Sequence, residues 1–259
     1  MDLSPPPGPP PPVPPLPEPI IAADLGEVPW RAREAIVVAL LSLATGGFFT
    51  LIVTAVLTPH GTSSITPEQK NLLTLYATII IEGSLGLWVW LWVRLRHRVG
   101  LEALGVRLRR GDIGAGILTA LVGLAAAQVI TQIVISITET TIGHPIRQPK
   151  QLPPGLHGAG QLTAAAIAVI LVAPFAEELF FRGFLYQAFR RWRGVTQAIL
   201  LSAAVFALSH GAPLLIVGIF PLGIVLAYMF ERKGSLVVTI TAHMTYNLIG
   251  FIFLVTISR

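Results

Sequence analysis

Seven long apolar segments, separated by short polar gaps, constrain this chain more than any other feature of its sequence. They cover residues 35–57, 71–93, 113–137, 161–185, 195–212, 214–230 and 235–258. About 20 helical residues cross the hydrocarbon core of a bilayer. The fifth and sixth segments are short and form either two tight spans or a partly re-entrant pair. We predict an all-α polytopic membrane protein with about seven transmembrane helices.

The composition supports a membrane protein and excludes several other classes. Only 12% of the residues are charged, about half the share in a soluble domain. The chain has no cysteine, which excludes disulfides, cysteine-ligated metals and a thiol nucleophile. Its net charge is +5, but the basic residues are spread over the gaps between apolar segments. We therefore expect no nucleic-acid partner.

The distribution of basic residues also predicts the orientation. With the N-terminus in the cytoplasm and the C-terminus outside, 13 of the 18 Lys and Arg residues fall on the cytoplasmic side, as the positive-inside rule requires. Arg makes up 15 of these 18 residues, and the chain begins with a proline-rich stretch, which would suit a high-GC prokaryote. We expect an integral protein of a prokaryotic plasma membrane.

The sequence divides into three regions. Residues 1–29 hold most of the prolines, and such a tract cannot bury a core, so we predict a disordered cytoplasmic tail. Residues 30–160 are predicted as an N-terminal three-helix membrane region. Residues 161–259 contain the remaining apolar helices and most of the polar residues embedded in them, and we predict that they carry the functional site.

Ionisable residues inside membrane spans are costly and suggest function by default. The embedded polar residues are Glu82, Glu177, Glu178, Arg182, His210, His243 and Asn247. Glu178 and Arg182 are four residues apart, so they share a helix face and are predicted to form an ion pair. Glu177 points elsewhere and is left as an unpaired carboxylate, which suits a general base. Glu82 could serve as a counter-charge, tune the site, or make an interhelical hydrogen bond.

Two more pairs repeat the spacing of four. They are Phe206 with His210 and His243 with Asn247. At about 1.5 Å per residue from the basic helix ends, Glu177 and His210 lie roughly 20 Å deep, and His243 and Asn247 lie roughly 12 and 18 Å deep. We expect these residues to converge on one buried polar site.

The same residues carry a resemblance to a known family. "EELFFR" (177–182), "FALSH" (206–210) and "HMTYN" (243–247) resemble the motifs EExxxR, FxxxH and HxxxN. These motifs define the CAAX-prenyl-protease and bacteriocin-processing family (CPBP, or Abi) of intramembrane proteases. The similarity covers roughly residues 161–250, and every motif position is filled.

The resemblance implies peptide-bond hydrolysis within the membrane. Glu177 and His210 would activate the attacking water, and His243 and Asn247 would stabilise the oxyanion. Supporting positions would be Glu178 and Arg182, which hold the first motif, and Phe206, which packs beside His210. Ser209 is expected to face away from His210, so a serine nucleophile is not predicted.

The need for a metal stays open at the level of sequence. Glu177, His210 and His243 form a His₂Glu set like that of catalytic zinc sites. The local HExxH spacing of many zinc proteases is absent, however. No further carboxylate near either His is an obvious hydrogen-bond partner for the ring nitrogen that would not bind the metal. We favour a reaction that requires no cofactor, with Zn²⁺ as the alternative.

Two other functions are compatible with buried polar residues. One is a non-proteolytic CPBP-type membrane scaffold or partner protein. A transporter is the weaker alternative, because that class favours paired repeats with broken helices and the two halves of this chain show no repeat. The expected protease substrate is a membrane-associated peptide or protein, with or without a lipid modification, such as a bacteriocin leader, a membrane peptide or a regulatory membrane protein.

Overall fold

The structure is a computed structural model and describes residues 25–59, 61, 65–145 and 158–257. Within these ranges the chain is helical and contains no strand. The main helices are α1 (Ala32–Leu57), α2 (Pro67–Arg96), α3 (Asp112–Ile142), α4 (Ala159–Arg193), α5 (Val195–Leu208), α6 (Pro213–Lys233) and α7 (Leu236–Ile257). A short 3₁₀ helix, Leu101–Leu104, lies between α2 and α3.

Six of the described helices are long and apolar enough to cross a membrane, and α5 is a shorter apolar helix. The prediction of an all-α polytopic membrane protein is confirmed. Many large apolar side chains on α1 and α3 are exposed, such as Leu51 and Leu118, as expected for surfaces that face lipid.

The predicted fifth segment was too long. Helix α5 ends at Leu208, four residues before the predicted end at residue 212. Ser209 and His210 form a turn, Gly211 adopts a left-handed conformation (φ 76°), and Pro213 starts α6. Gly tolerates positive φ and Pro favours the first helical position, so this sequence breaks the helix. At 14 residues, α5 is about 21 Å long.

Helix α4 occupies the centre of the fold and is irregular. Two π-helical segments, Ile167–Val172 and Leu179–Tyr186, interrupt its α-helical hydrogen bonding. Such segments occur frequently at functional sites, because they shift side chains and change which backbone carbonyls are free. The whole of Leu179–Tyr186 is buried, and its aromatic residues form much of the main hydrophobic cluster.

Small residues let neighbouring helices approach closely. A Cβ at Gly223 of α6 would lie 3.0 Å from the Cβ of Ala203 and 3.2 Å from the Phe206 ring, both in α5. Gly86 of α2 faces Ala176 of α4, where an added Cβ would be 3.5 Å from the Ala176 Cβ. Contacts of this kind replace the hydrophobic driving force that is missing between helices in lipid.

The part of the chain that packs against the helices begins before α1, at residues that were predicted to belong to the disordered tail. Trp30 is fully buried, stacks on Phe184 and donates its indole N–H to the Phe184 carbonyl at 2.9 Å. Val28 is also buried, and its carbonyl accepts a 2.8 Å hydrogen bond from Arg191. Residues 25–29 were predicted within the disordered tail, but Leu25 and Val28 belong to the core. Residues 1–24 of that prediction lie outside the described residues.

Candidate active site

The predicted site residues lie around two cavities that share part of their walls. The inner cavity has a volume of about 340 Å³. The outer cavity, here called the groove, has a volume of about 1130 Å³ and a largely apolar lining contributed by α1, α2, α4 and α5. Both cavities are lined by Glu82, Glu177 and His210. The groove therefore reaches the polar residues that line the inner cavity.

All four predicted catalytic residues line the inner cavity. They come from α4 (Glu177), the turn after α5 (His210) and α7 (His243 and Asn247). Residues from three separate segments of the chain therefore line one cavity. Basic side chains line the groove as well: Arg31, Arg33 and Arg191.

Glu178 connects two motifs through one carboxylate oxygen. Its Oε1 accepts a hydrogen bond from Arg182 Nη1 at 2.7 Å and lies 3.0 Å from His243 Nδ1. Glu178 and Arg182 are almost completely buried, with side-chain exposures of 0% and 1%. A charged pair at such a site is tolerated only when its members satisfy each other. Because a carboxylate only accepts hydrogen bonds, Nδ1 of His243 is the donor.

Phe206 is the apolar centre around which the motif residues pack. Its ring is fully buried and lies edge-on to His210 and His243, with centroid distances of 5.0 and 5.6 Å. The guanidinium of Arg182 lies 4.3 Å from the ring centroid, within the range of a cation–π contact. Phe206 therefore touches a residue from each of the three motifs.

Glu177 differs from its neighbour Glu178 in having no close partner. Its Oε2 atom is buried without a hydrogen bond and lies 3.8 Å from His243 Nε2. Its side chain is 13% exposed and lines both the inner cavity and the groove. This carboxylate is therefore available to a molecule that enters the cavity.

His210 does not lie on the helix where the sequence predicted it, but in the turn that follows α5. Its Nδ1 is 2.8 Å from the Phe206 carbonyl. A carbonyl can only accept, so Nδ1 carries the proton and Nε2 of the neutral ring is left as an acceptor. Ser209 Oγ lies 3.4 Å from the same Nδ1 but donates to the Phe206 carbonyl at 2.8 Å. That Nδ1 cannot also take a proton from Ser209.

Asn247 is oriented by the irregular part of α4. Its side-chain NH₂ donates to the carbonyl of Val169 at 2.8 Å, and Val169 belongs to the π-helical segment Ile167–Val172. A primary amide carries two N–H bonds, so one further donor remains on Asn247. Because the side chain also lines the inner cavity, it combines a fixed orientation with access to that cavity.

The three residues of the zinc alternative do not form a ready ligand set. Within the described residues, no group of three or more His, Asp or Glu side chains is arranged to hold a metal ion. The expectation that neither His has an outer carboxylate partner was wrong, since Glu178 binds His243. That contact resembles the carboxylate–histidine pairs of zinc sites.

Two features of the site were not resolved by the sequence. Glu82 lines both cavities, and its buried Oε2 atom has no hydrogen-bond partner. Tyr246 lines the inner cavity beside Asn247, although it is not one of the positions fixed in the motifs. Glu82 could be recognised in the sequence because it is a carboxyl group inside a membrane span. Nothing in the sequence distinguishes Tyr246 from other tyrosines in membrane helices.

Comparison with known proteins places the site within a family region. No curated protein and no solved structure matches the chain. Residues 159–249, which contain all three motifs, match the family model described as type II CAAX prenyl endopeptidase, Rce1-like. The resemblance to the CPBP (CAAX protease) family is thereby confirmed for residues 159–249, here called the family region.

Proposed function

We propose that this protein is an intramembrane endopeptidase that hydrolyses peptide bonds of membrane-associated peptides or proteins. The observation that carries the proposal is that Glu177, His210, His243 and Asn247 line a single small cavity that shares part of its wall with a largely apolar groove. The match to an endopeptidase family over residues 159–249 supports a protease in general.

Glu177 and His210 activate the attacking water in this proposal. The Glu177 carboxylate has no partner at its buried oxygen, so it can receive a proton from water. His210 offers an unprotonated Nε2, because its Nδ1 proton is donated to the Phe206 carbonyl. Two acceptors facing one cavity can hold a water molecule by both of its hydrogens and orient its lone pair towards a carbonyl carbon.

His243 and Asn247 stabilise the oxyanion. The second N–H of Asn247 is one donor to the developing charge. Nε2 of His243 is the other donor when the ring carries a proton on both nitrogens, and Glu178 accepts the hydrogen bond from Nδ1. Fixed donors of this kind typically contribute about 10²–10³ in rate each. Glu178 and Arg182 position His243 and take no part in bond making.

The reaction as proposed needs no cofactor. Water activation is assigned to side chains that already line the cavity, and among the described residues no group of three or more His, Asp or Glu side chains is arranged to hold a metal ion. Zinc bound by these three residues would supply a Lewis acid and a more acidic water. Measurements of the zinc content and of the activity after chelation distinguish the cofactor-free reaction from the zinc-dependent one.

The proposed substrate is a peptide or membrane protein, with or without a lipid modification, that reaches the site from the bilayer. The groove is long, largely apolar and lined by basic side chains such as Arg31 and Arg191. We propose a prokaryotic plasma membrane as the location, with a cytoplasmic N-terminus and an external C-terminus. This orientation puts the arginines of the groove on the cytoplasmic side, where such residues are favoured.

Single-cysteine labelling tests the orientation, because the natural sequence contains no cysteine. Arg110→Cys lies between α2 and α3, and His144→Cys lies after α3; both positions are exposed. In intact cells, a membrane-impermeant maleimide should label His144→Cys and not Arg110→Cys. The opposite pattern would reverse the proposed orientation.

A census of new protein termini tests the activity. Membranes expressing the wild type or Glu177→Gln at equal levels are compared by mass spectrometry in a host that supplies natural partners. Termini found only with the wild type identify the substrate and the cleaved bond. Indistinguishable censuses would favour the alternative, a membrane scaffold without protease activity.

A further inference from the structure

Glu82 is the one embedded carboxyl group that the proposed mechanism leaves without a role. It lies in the middle of α2, outside the family region, and lines both cavities together with Glu177 and His210. Its buried Oε2 has no hydrogen-bond partner. An unused ionisable group at this depth is costly, which calls for a function.

The packing of α2 against α4 holds Glu82 beside the site. Gly86, one turn further along α2, contacts Ala176 of α4, and Ala176 precedes Glu177. Residues four apart share a helix face, so Glu82 projects from the same face of α2 as Gly86. Glu82 and Glu177 line the same inner cavity.

The number of charges in the site limits how many of its carboxyl groups ionise. Glu177 and Glu178 supply two negative charges, and Arg182 supplies one positive charge, which pairs with Glu178. A third carboxylate in the same low-dielectric site would be uncompensated, and two unpaired carboxyl groups at one site share a proton rather than both ionise. In the reaction described below, Glu82 is the protonated member of this pair and Glu177 is the ionised one.

Hydrolysis of an amide needs such a proton donor. The leaving amine must be protonated as the C–N bond breaks, whereas His210 offers an acceptor at Nε2. The N–H of Asn247 is not acidic enough to be transferred. Tyr246, which also lines the inner cavity, is the other candidate donor, but it does not line the groove through which a substrate would enter.

We propose that Glu82 is a second catalytic carboxyl group, which protonates the leaving amine. Water gives one proton to Glu177 as its oxygen bonds to the carbonyl carbon, and the tetrahedral intermediate collapses with cleavage of the C–N bond. The proton of Glu82 moves to the amine nitrogen. Transfer of a proton from Glu177 to Glu82 then restores both groups, so the net reaction consumes one water. This role rests on the proposed endopeptidase activity.

A matched pair of substrates separates this role from a structural one. The first is a peptide containing the bond that the terminal census identifies. The second is an aryl ester of the same acyl segment, whose phenolate leaves without being protonated. Glu82→Gln should lower kcat for the peptide by roughly 10²–10⁴-fold, the usual contribution of a general acid or base, and leave ester hydrolysis nearly unchanged. Glu177→Gln should abolish both, because both need the base.

Two further variants control for loss of folding and for Tyr246 as the alternative proton donor. Glu82→Asp keeps a carboxyl group and should retain part of the peptide activity, and Tyr246→Phe should retain most of it. Equal losses of peptide and ester hydrolysis in Glu82→Gln would overturn the acid role while leaving the protease in place. A wild type that hydrolyses neither compound would overturn the endopeptidase proposal itself.

Discussion

His243 in α7 donates its Nδ1–H to Glu178 in α4 across a distance of 3.0 Å, although the two residues are 65 positions apart. The same carboxylate oxygen of Glu178 accepts the guanidinium of Arg182 at 2.7 Å. The first and third motifs are therefore joined by one buried oxygen atom. Any change to this ion pair should alter both the stability of the helix bundle and the position of the His243 ring.

Arg182→Ala should destabilise the protein as well as abolish its activity. The change leaves Glu178 charged and buried without its guanidinium partner, which costs about 3–5 kcal/mol when a buried pair is broken. Thermal unfolding in detergent measures the effect. Arg193→Ala is the control, because its guanidinium is exposed and stacks on Trp192. Equal melting temperatures for Arg182→Ala and the wild type would contradict the pairing.

Asn247→Ala should lower kcat with little change in substrate KM. It removes one proposed oxyanion donor, a loss that typically costs about 10²–10³ in rate. It also leaves the Val169 carbonyl without its hydrogen bond, so the melting temperature is recorded in parallel. If kcat stays within threefold of the wild type (about 0.65 kcal/mol), Asn247 does not stabilise the oxyanion.

Gly223→Ala should reduce both stability and activity although it adds only a methyl group. The new Cβ would lie 3.0 Å from the Ala203 Cβ and 3.2 Å from the Phe206 ring, so α5 or Phe206 must move. Phe206 contacts His210, His243 and Arg182, and a shift of its ring disturbs all three.

Gly114→Ala in α3 is the matched control for Gly223→Ala. Nothing lies within 4 Å of an added Cβ at this position. Replacing an unconstrained helical Gly by Ala normally stabilises a helix by roughly 0.5–1 kcal/mol, so this variant should keep full activity. Equal behaviour of the two variants would show that the close contact between α5 and α6 has no functional consequence.

Removal of metals should leave the activity of the purified protein intact. The proposed reaction uses Glu177 and His210 to activate water, and these residues are not arranged as zinc ligands with His243. The protein is dialysed against a strong chelator, its zinc content is measured, and peptide cleavage is followed. Loss of activity that returns on addition of zinc would establish the metal mechanism instead.

Part of the candidate site could be predicted because four-residue spacing in a helix has a fixed geometric meaning. That spacing was sufficient to pair Glu178 with Arg182, and the two residues form the predicted ion pair. It could not show that Glu178 also binds His243, since spacing within one helix does not tell which faces of two helices meet. The π-helical segments of α4 have no periodic signature, so the contact of Asn247 with Val169 was also beyond prediction.

Errors in the predicted segment boundaries have local causes. Composition alone extended the proline-rich tail to residue 29, whereas Trp30 and Val28 find specific partners in α4. The fifth segment was drawn too long because Ser209, Gly211 and Ala212 are small, and hydropathy does not register the turn at Gly211.

Glu177 as the base that activates water is the central claim, and purified protein tests it most directly. The protein is reconstituted into liposomes with the peptide that the terminal census identifies, and cleavage products are measured by mass spectrometry. The wild type and the control Glu102→Gln, an exposed carboxyl group away from the site, should cleave the same bond at the same rate. Glu177→Gln should fold, insert and give no product, whereas cleavage by Glu177→Gln at the wild-type rate would contradict the account.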